Sequence, residues 1–125
     1  MTGTLKSQAD KKASALEALT LEEIVSLTNK VGLEFVAARK EADRYDLLKS
    51  SKRSCLMEKY DDGKKTETKI KRLAESDPEY IKFVEQYVEA KFVAEQLRIR
   101  YESYKNLFEA RRSSLGYQKA EMNLF

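Results

Sequence analysis

The chain is 125 residues long, 42% apolar and 36% charged, with a formal net charge of only +3, one Pro, four Gly, one Cys and no His. That length fits one domain with a modest core, and so much charge with so few turn formers points to an all-α protein of long, solvent-bathed helices. Without His, and with a single Cys, the usual metal-ligand sets, Cys-His dyads, Ser-His-Asp triads and disulfide frameworks are excluded, and no Gly-rich phosphate loop is present; no cofactor or metal is expected and the chain reads as a non-enzyme.

Residues 1–19 are small, polar and weakly periodic, which predicts a mobile or weakly helical arm. They hold no apolar core of the signal-peptide kind, and no run anywhere approaches the ~20 apolar residues of a membrane span, so a cytosolic protein without membrane contact is expected. Thr20-Leu21-Glu22-Glu23 is a capping box that should start the first long helix. From there apolar residues recur at steps of three or four as Ile24, Leu27, Val31, Phe35, Ala38, Ala42, Tyr45 and Leu48, then more weakly through Cys55, Leu56 and Tyr60. A helix over 21–60 would be about 60 Å long. Cys55 reads as a small buried hydrophobe in preference to a reactive thiol.

Asp61-Asp62-Gly63 is a turn signal, with Gly63 suited to a left-handed cap. Residues 64–76 form either a short helix or an ordered basic loop. Asp77 then caps a second long helix whose first residue is Pro78, a position where the missing N–H costs nothing. Its pattern is a heptad: Tyr80, Tyr87, Ala94, Tyr101 and Phe108 at a, and Phe83, Ala90, Leu97 and Tyr104 at d. The expectation is a long antiparallel helical hairpin with a coiled-coil-like seam over residues 20–116. Val84, Val88, Val93, Ile99 and Leu107 widen the apolar stripe beyond one seam, which predicts a homo-oligomer of more than two subunits. The segment 117–125, with Tyr117, Met122, Leu124 and Phe125, either docks on a neighbouring subunit or frays.

Charge is unevenly spread: residues 21–48 sum to −2, 49–72 to +5, 73–97 to −4 and 98–125 to +3. Antiparallel pairing would set the basic end of the first helix beside the acidic start of the second, which explains part of the pattern. Lys64, Lys65, Lys69, Lys71 and Arg72, interrupted only by Glu67, are left over at the bend. With Lys49, Lys52, Arg53 and Lys59 they form a candidate surface for single-stranded DNA. Lys and Arg would neutralise phosphates, nearby Ser and Thr hydroxyls would bond them, and Tyr60 would either stack on a base or pack in the core. A closed oligomer repeating the patch would add avidity.

The order of segments, the basic turn at Tyr60, Gly63 and Lys64, and the helix start with Leu73 and Asp77 resemble the UvsY-type recombination mediators of T-even phages, over roughly residues 30–122. That resemblance implies a ring-like oligomer in the cytoplasm of a bacterial host. It implies that the ring binds single-stranded DNA, remodels single-strand-binding protein and loads a recombinase or annealing protein. The family's basic pair just before the turn falls near Cys55 and Met57 here, with Lys52 and Arg53 shifted upstream. The rival reading is a protein-only coiled-coil adaptor or chaperone whose charges serve solubility.

Overall fold

The computed structural model describes residues 18–124; the expectation of a weakly helical arm therefore lies almost wholly outside the described residues. The described chain is all-α, with three helices: α1, Leu21–Tyr60; α2, Glu67–Glu75; and α3, Pro78–Leu124. None is long and apolar enough to cross a membrane.

Local chemistry explains each boundary. At the start of α1 the Thr20 hydroxyl accepts the Glu23 N–H at 3.1 Å and donates to the Glu23 carboxylate at 3.1 Å. Half of the expected box is thus present, and its other half closes through the Thr hydroxyl in place of a backbone N–H. After Tyr60 the loop bends where Gly63 takes φ +78°, a left-handed conformation that suits a residue lacking Cβ. Asp61 accepts the Gly63 N–H at 2.9 Å, and Asp62 accepts those of Lys64 and Lys65 at 2.9 and 3.1 Å. These are Asx turns, in which a short carboxylate replaces the backbone partner that a helix would have supplied. Residues 67–75 are helical, so the helical alternative for this segment applies; Thr66 caps α2 by accepting the Lys69 N–H at 3.3 Å. The α3 helix runs through Gly116 without a break.

Two compact units pack separately: Gly32–Ile99, and the described residues up to Val31 together with those from Arg100 onward. In the Gly32–Ile99 unit, α1 and α3 are antiparallel. Tyr45 stacks edge-on to Phe83 at 5.4 Å, the Tyr87 hydroxyl donates to Asp46 at 3.0 Å, and Lys52 meets Glu79 at 3.5 Å. The core at the bend is Leu56, Ala74 and Tyr80, with Met57, Tyr60 and Val84 packed against it. Tyr80 and Ala94 are buried here, while Phe83, Tyr87, Ala90 and Leu97 are half-buried.

In the other unit Ile24 is fully buried and Val31 nearly so. Tyr101, Tyr104 and Phe108 are half-buried, and the Arg111 guanidinium donates to the Leu19 carbonyl at 2.6 Å. Beyond Arg111, residues 112–123 are exposed all round the helix.

Two sequence expectations need correction. Cys55 is exposed, not buried. Its neighbour Leu56 occupies the inward direction, and successive helical residues point ~100° apart, so Cys55 is turned outward. Leu48 is 42% exposed; the inward place at that turn goes to Lys49, whose ammonium lies 6.0 Å from the centre of the Tyr87 ring.

Candidate nucleic-acid interface

The basic run of residues 49–72 is divided by the fold into cations that already have partners and cations that do not. On the last turns of α1, Lys52 pairs with Glu79 at 3.5 Å, Arg53 with Glu75 at 3.5 Å and Lys59 with Asp77 at 3.2 Å. Lys49 lies over Tyr87. These are the contacts that charge alternation between antiparallel segments leads one to expect. Being partly exposed, the Lys52 and Arg53 pairs are surface ion pairs of small energetic weight.

Lys65, assigned to the bend cluster, is also engaged: its ammonium donates to the Tyr60 carbonyl at 3.2 Å and lies 3.7 Å from Asp62. A cation at that carbonyl satisfies an acceptor that the end of α1 leaves open. The backbone N–H of Lys64, followed by that of Lys65 and the Lys65 charge, holds the Asp62 carboxyl below its ordinary range.

Lys64, Lys69, Lys71 and Arg72 remain. All four are exposed, and no carboxylate lies within ion-pair distance of any of them among the described residues. Helix α2 arranges three of them. It buries Ile70 and Ala74 against the bend, so at ~100° per residue Lys69 and Lys71 fall on opposite flanks and Arg72 points away from the core beside Thr68. Lys64 adds a fourth charge on the preceding loop. The result is a convex cationic knob whose flanks carry exposed Thr66 and Thr68 hydroxyls.

Tyr60 is placed in the core, the second of the two roles read for it. Its ring packs against the Leu56, Ala74 and Tyr80 cluster, and its hydroxyl donates to the Asp77 carboxylate at 2.5 Å. Asp77 is the residue whose importance the sequence understated. It reads there as a cap, and it does accept the Glu79 N–H at 2.8 Å. It is also only 3% exposed and receives both Tyr60 and Lys59. A buried carboxylate requires such donors, and here three of them, from α1 and α3, converge on one side chain. The Tyr60 hydroxyl, then the Glu79 N–H and Lys59, hold the Asp77 carboxyl below its ordinary range. Reciprocally, Asp77 holds Lys59 and Tyr60 protonated to higher pH than usual. A Tyr seventeen residues upstream of a Pro-preceding Asp carries no local signal, so only the folded geometry reveals the pair.

Among the described residues no group of three His, Cys, Asp or Glu side chains is arranged to hold a metal ion. No protein-family model matches the chain, and neither a curated protein nor a solved structure matches it.

Proposed function

We propose that the chain is a non-enzymatic accessory factor that binds single-stranded DNA through the bend. The observation that carries this reading is the set of four exposed cations without intramolecular partners, Lys64, Lys69, Lys71 and Arg72, gathered on and beside one nine-residue helix. Each can take a phosphate and release its condensed counterion, the sequence-independent source of DNA affinity. A flexible single strand can bring successive phosphates onto so small a convex knob. A duplex, stiff over ~150 base pairs, cannot wrap it without a bending cost. Because Tyr60 is occupied, the contact is to phosphate, with the Arg72 guanidinium as the group best placed to meet a base face.

Four charges per chain give weak binding, so the factor works as a closed assembly of more than two copies that repeats the knob along one strand. Held extended in this way, the strand is available to a recombinase or annealing protein after single-strand-binding protein is removed, the mediator role that the sequence resemblance implies. That role places it in the cytoplasm of a bacterial host.

The test is fluorescence anisotropy of a labelled single-stranded oligonucleotide over a salt series with a duplex competitor. Binding that weakens steeply with salt and resists the duplex is expected; no binding at low salt would refute the proposal. The rival, a protein-only adaptor or chaperone, draws on the pairing of Lys52, Arg53 and Lys59 with acidic partners, which shows that much of the basic run serves helix pairing. It predicts an ordered assembly that ignores oligonucleotides at every salt concentration.

A further inference from the structure

Between α1 and α3 the chain makes one excursion, residues 61–76, which leaves and returns through a single neck. Tyr60 is the last residue of α1 and Asp77 immediately precedes α3, and the Tyr60 hydroxyl donates to the Asp77 carboxylate at 2.5 Å. Lys59 donates to the same carboxylate oxygen at 3.2 Å, and the other oxygen accepts the Glu79 N–H at 2.8 Å. Lys64, Lys69, Lys71 and Arg72, the four cations without partners, all lie inside the loop that this clasp closes.

The remaining ties on the loop differ in kind. Ile70 and Ala74 are buried, but apolar contact is non-directional and fixes no angle. Arg53 meets Glu75 at 3.5 Å, and Lys65 reaches the Tyr60 carbonyl at 3.2 Å; these side chains are in part open to water, which replaces such contacts at little cost. Asp77 is 3% exposed, so no water stands ready to take over a bond that it loses. Helix α2 is nine residues long, too short to hold its form alone. The arrangement of Lys69, Lys71 and Arg72 therefore depends on how firmly the neck is closed.

We propose that the Tyr60–Asp77 clasp is a positioning and specificity device. Closed, it holds the cations as a convex knob that favours a flexible single strand; open, it frees residues 61–76 to lie along a stiff duplex. This inference rests on the DNA reading above and adds what enforces its preference. Duplex binds by selecting the open form, so its apparent affinity scales with the fraction of chains that are open. The single strand binds the closed form, which dominates, and its affinity barely depends on that fraction. Both forms carry the same cations, so the counterions available for release are the same.

The test is Y60F, which removes one oxygen, leaves the ring beside Leu56, Ala74 and Tyr80, and keeps the net charge. Loss of a donor to a buried carboxylate should raise the open fraction by about tenfold or more. Amides of residues 67–75 should then exchange hydrogen about tenfold faster, while those of residues 83–97 keep their wild-type rates. By anisotropy, the affinity of Y60F for a duplex should rise about tenfold, with single-strand affinity and salt slope unchanged. A loss of stability alone would not move one ligand against the other. The control, R53A/E75A, cuts an exposed tie on the same helix without changing net charge and should behave as the wild type. D77N, read by exchange alone because its charge differs, should also speed exchange in residues 67–75.

Wild-type exchange over 67–75 in Y60F or D77N, exchange that rises equally in every helix, an unchanged duplex affinity, or a control that matches Y60F overturns the inference. A wild type that binds neither DNA overturns the DNA reading itself, and the specificity role with it. A wild type that binds single strands while Y60F keeps the same preference overturns the clasp alone.

Discussion

If the free cations of the bend are the DNA contacts, replacing Lys64, Lys69, Lys71 and Arg72 together by Ala should change the salt dependence of binding by a calculable amount. Each phosphate neutralised on a single strand contributes about 0.7 to the slope of log K against log salt, so four lost contacts per chain lower the slope by about 3. Between 50 and 200 mM salt the wild type would then lose about 50-fold more affinity than the variant at one chain per site. The control removes charge of both signs from the paired region. Lys52 and Glu79, with Arg53 and Glu75, all become Ala, deleting two ion pairs at 3.5 Å without altering net charge. Cations that already hold a carboxylate have fewer counterions to release, so the slope of this variant should stay within about 1 of the wild type. Anisotropy titrations at five or more salt concentrations measure both. Equal slopes for the wild type and the four-Ala variant, or a larger loss in the paired-region variant, would show that the free cations are not the contact.

Three further outcomes follow from the bend. Leu56 is 4% exposed in a small cluster able to collapse partly around a void, so Leu56→Ala should cost about 2–3 kcal/mol, at the lower end for such truncations. Thermal melts at one protein concentration should show a Tm drop of about 10 °C, whereas Leu115→Ala, 49% exposed, should move it by a degree or two. Asp77, with its carboxyl held below the ordinary range by Tyr60, Glu79 and Lys59, contributes stability that is present above about pH 4 and is lost as pH falls through its folded value. Asp77→Asn should therefore be less stable at neutral pH and lose less on acidification; the slope does not vanish, because Asp62 and Glu95 are also held low, and an acid limb as steep as the wild type would refute this assignment. The exposed Cys55 thiol should react with a thiol reagent in the native protein to the same extent as in denaturant, about one equivalent per chain; protection in the native state would mean that this face of α1 is covered.

What the sequence determined by itself is what short-range chemistry controls. Thr20, Gly63, Asp77 and Pro78 mark boundaries because caps and turns are settled within four residues, whereas the helix over 67–75 was one of two readings until the structure decided it. The period of the apolar positions committed residues 21–60 and 78 onward to helix, since only one face of each can leave water. The inward set on α3 was legible for the same reason: Tyr80, Phe83, Tyr87, Ala90, Ala94 and Leu97 are each buried or half-buried. Only the tertiary structure decided which of several similar residues received a given environment. Cys55 and Leu56 are both small enough and apolar enough to face inward, and one residue of helical phase separates burial from exposure. Nine cations in the basic run are equivalent as letters; whether Glu75, Asp77 or Glu79 comes within 4 Å of one depends on how α2 folds the chain back. That distance divides neutralised pairs from the four charges left for a polyanion, because electrostatic partnership is a property of separation in space and not of separation along the chain.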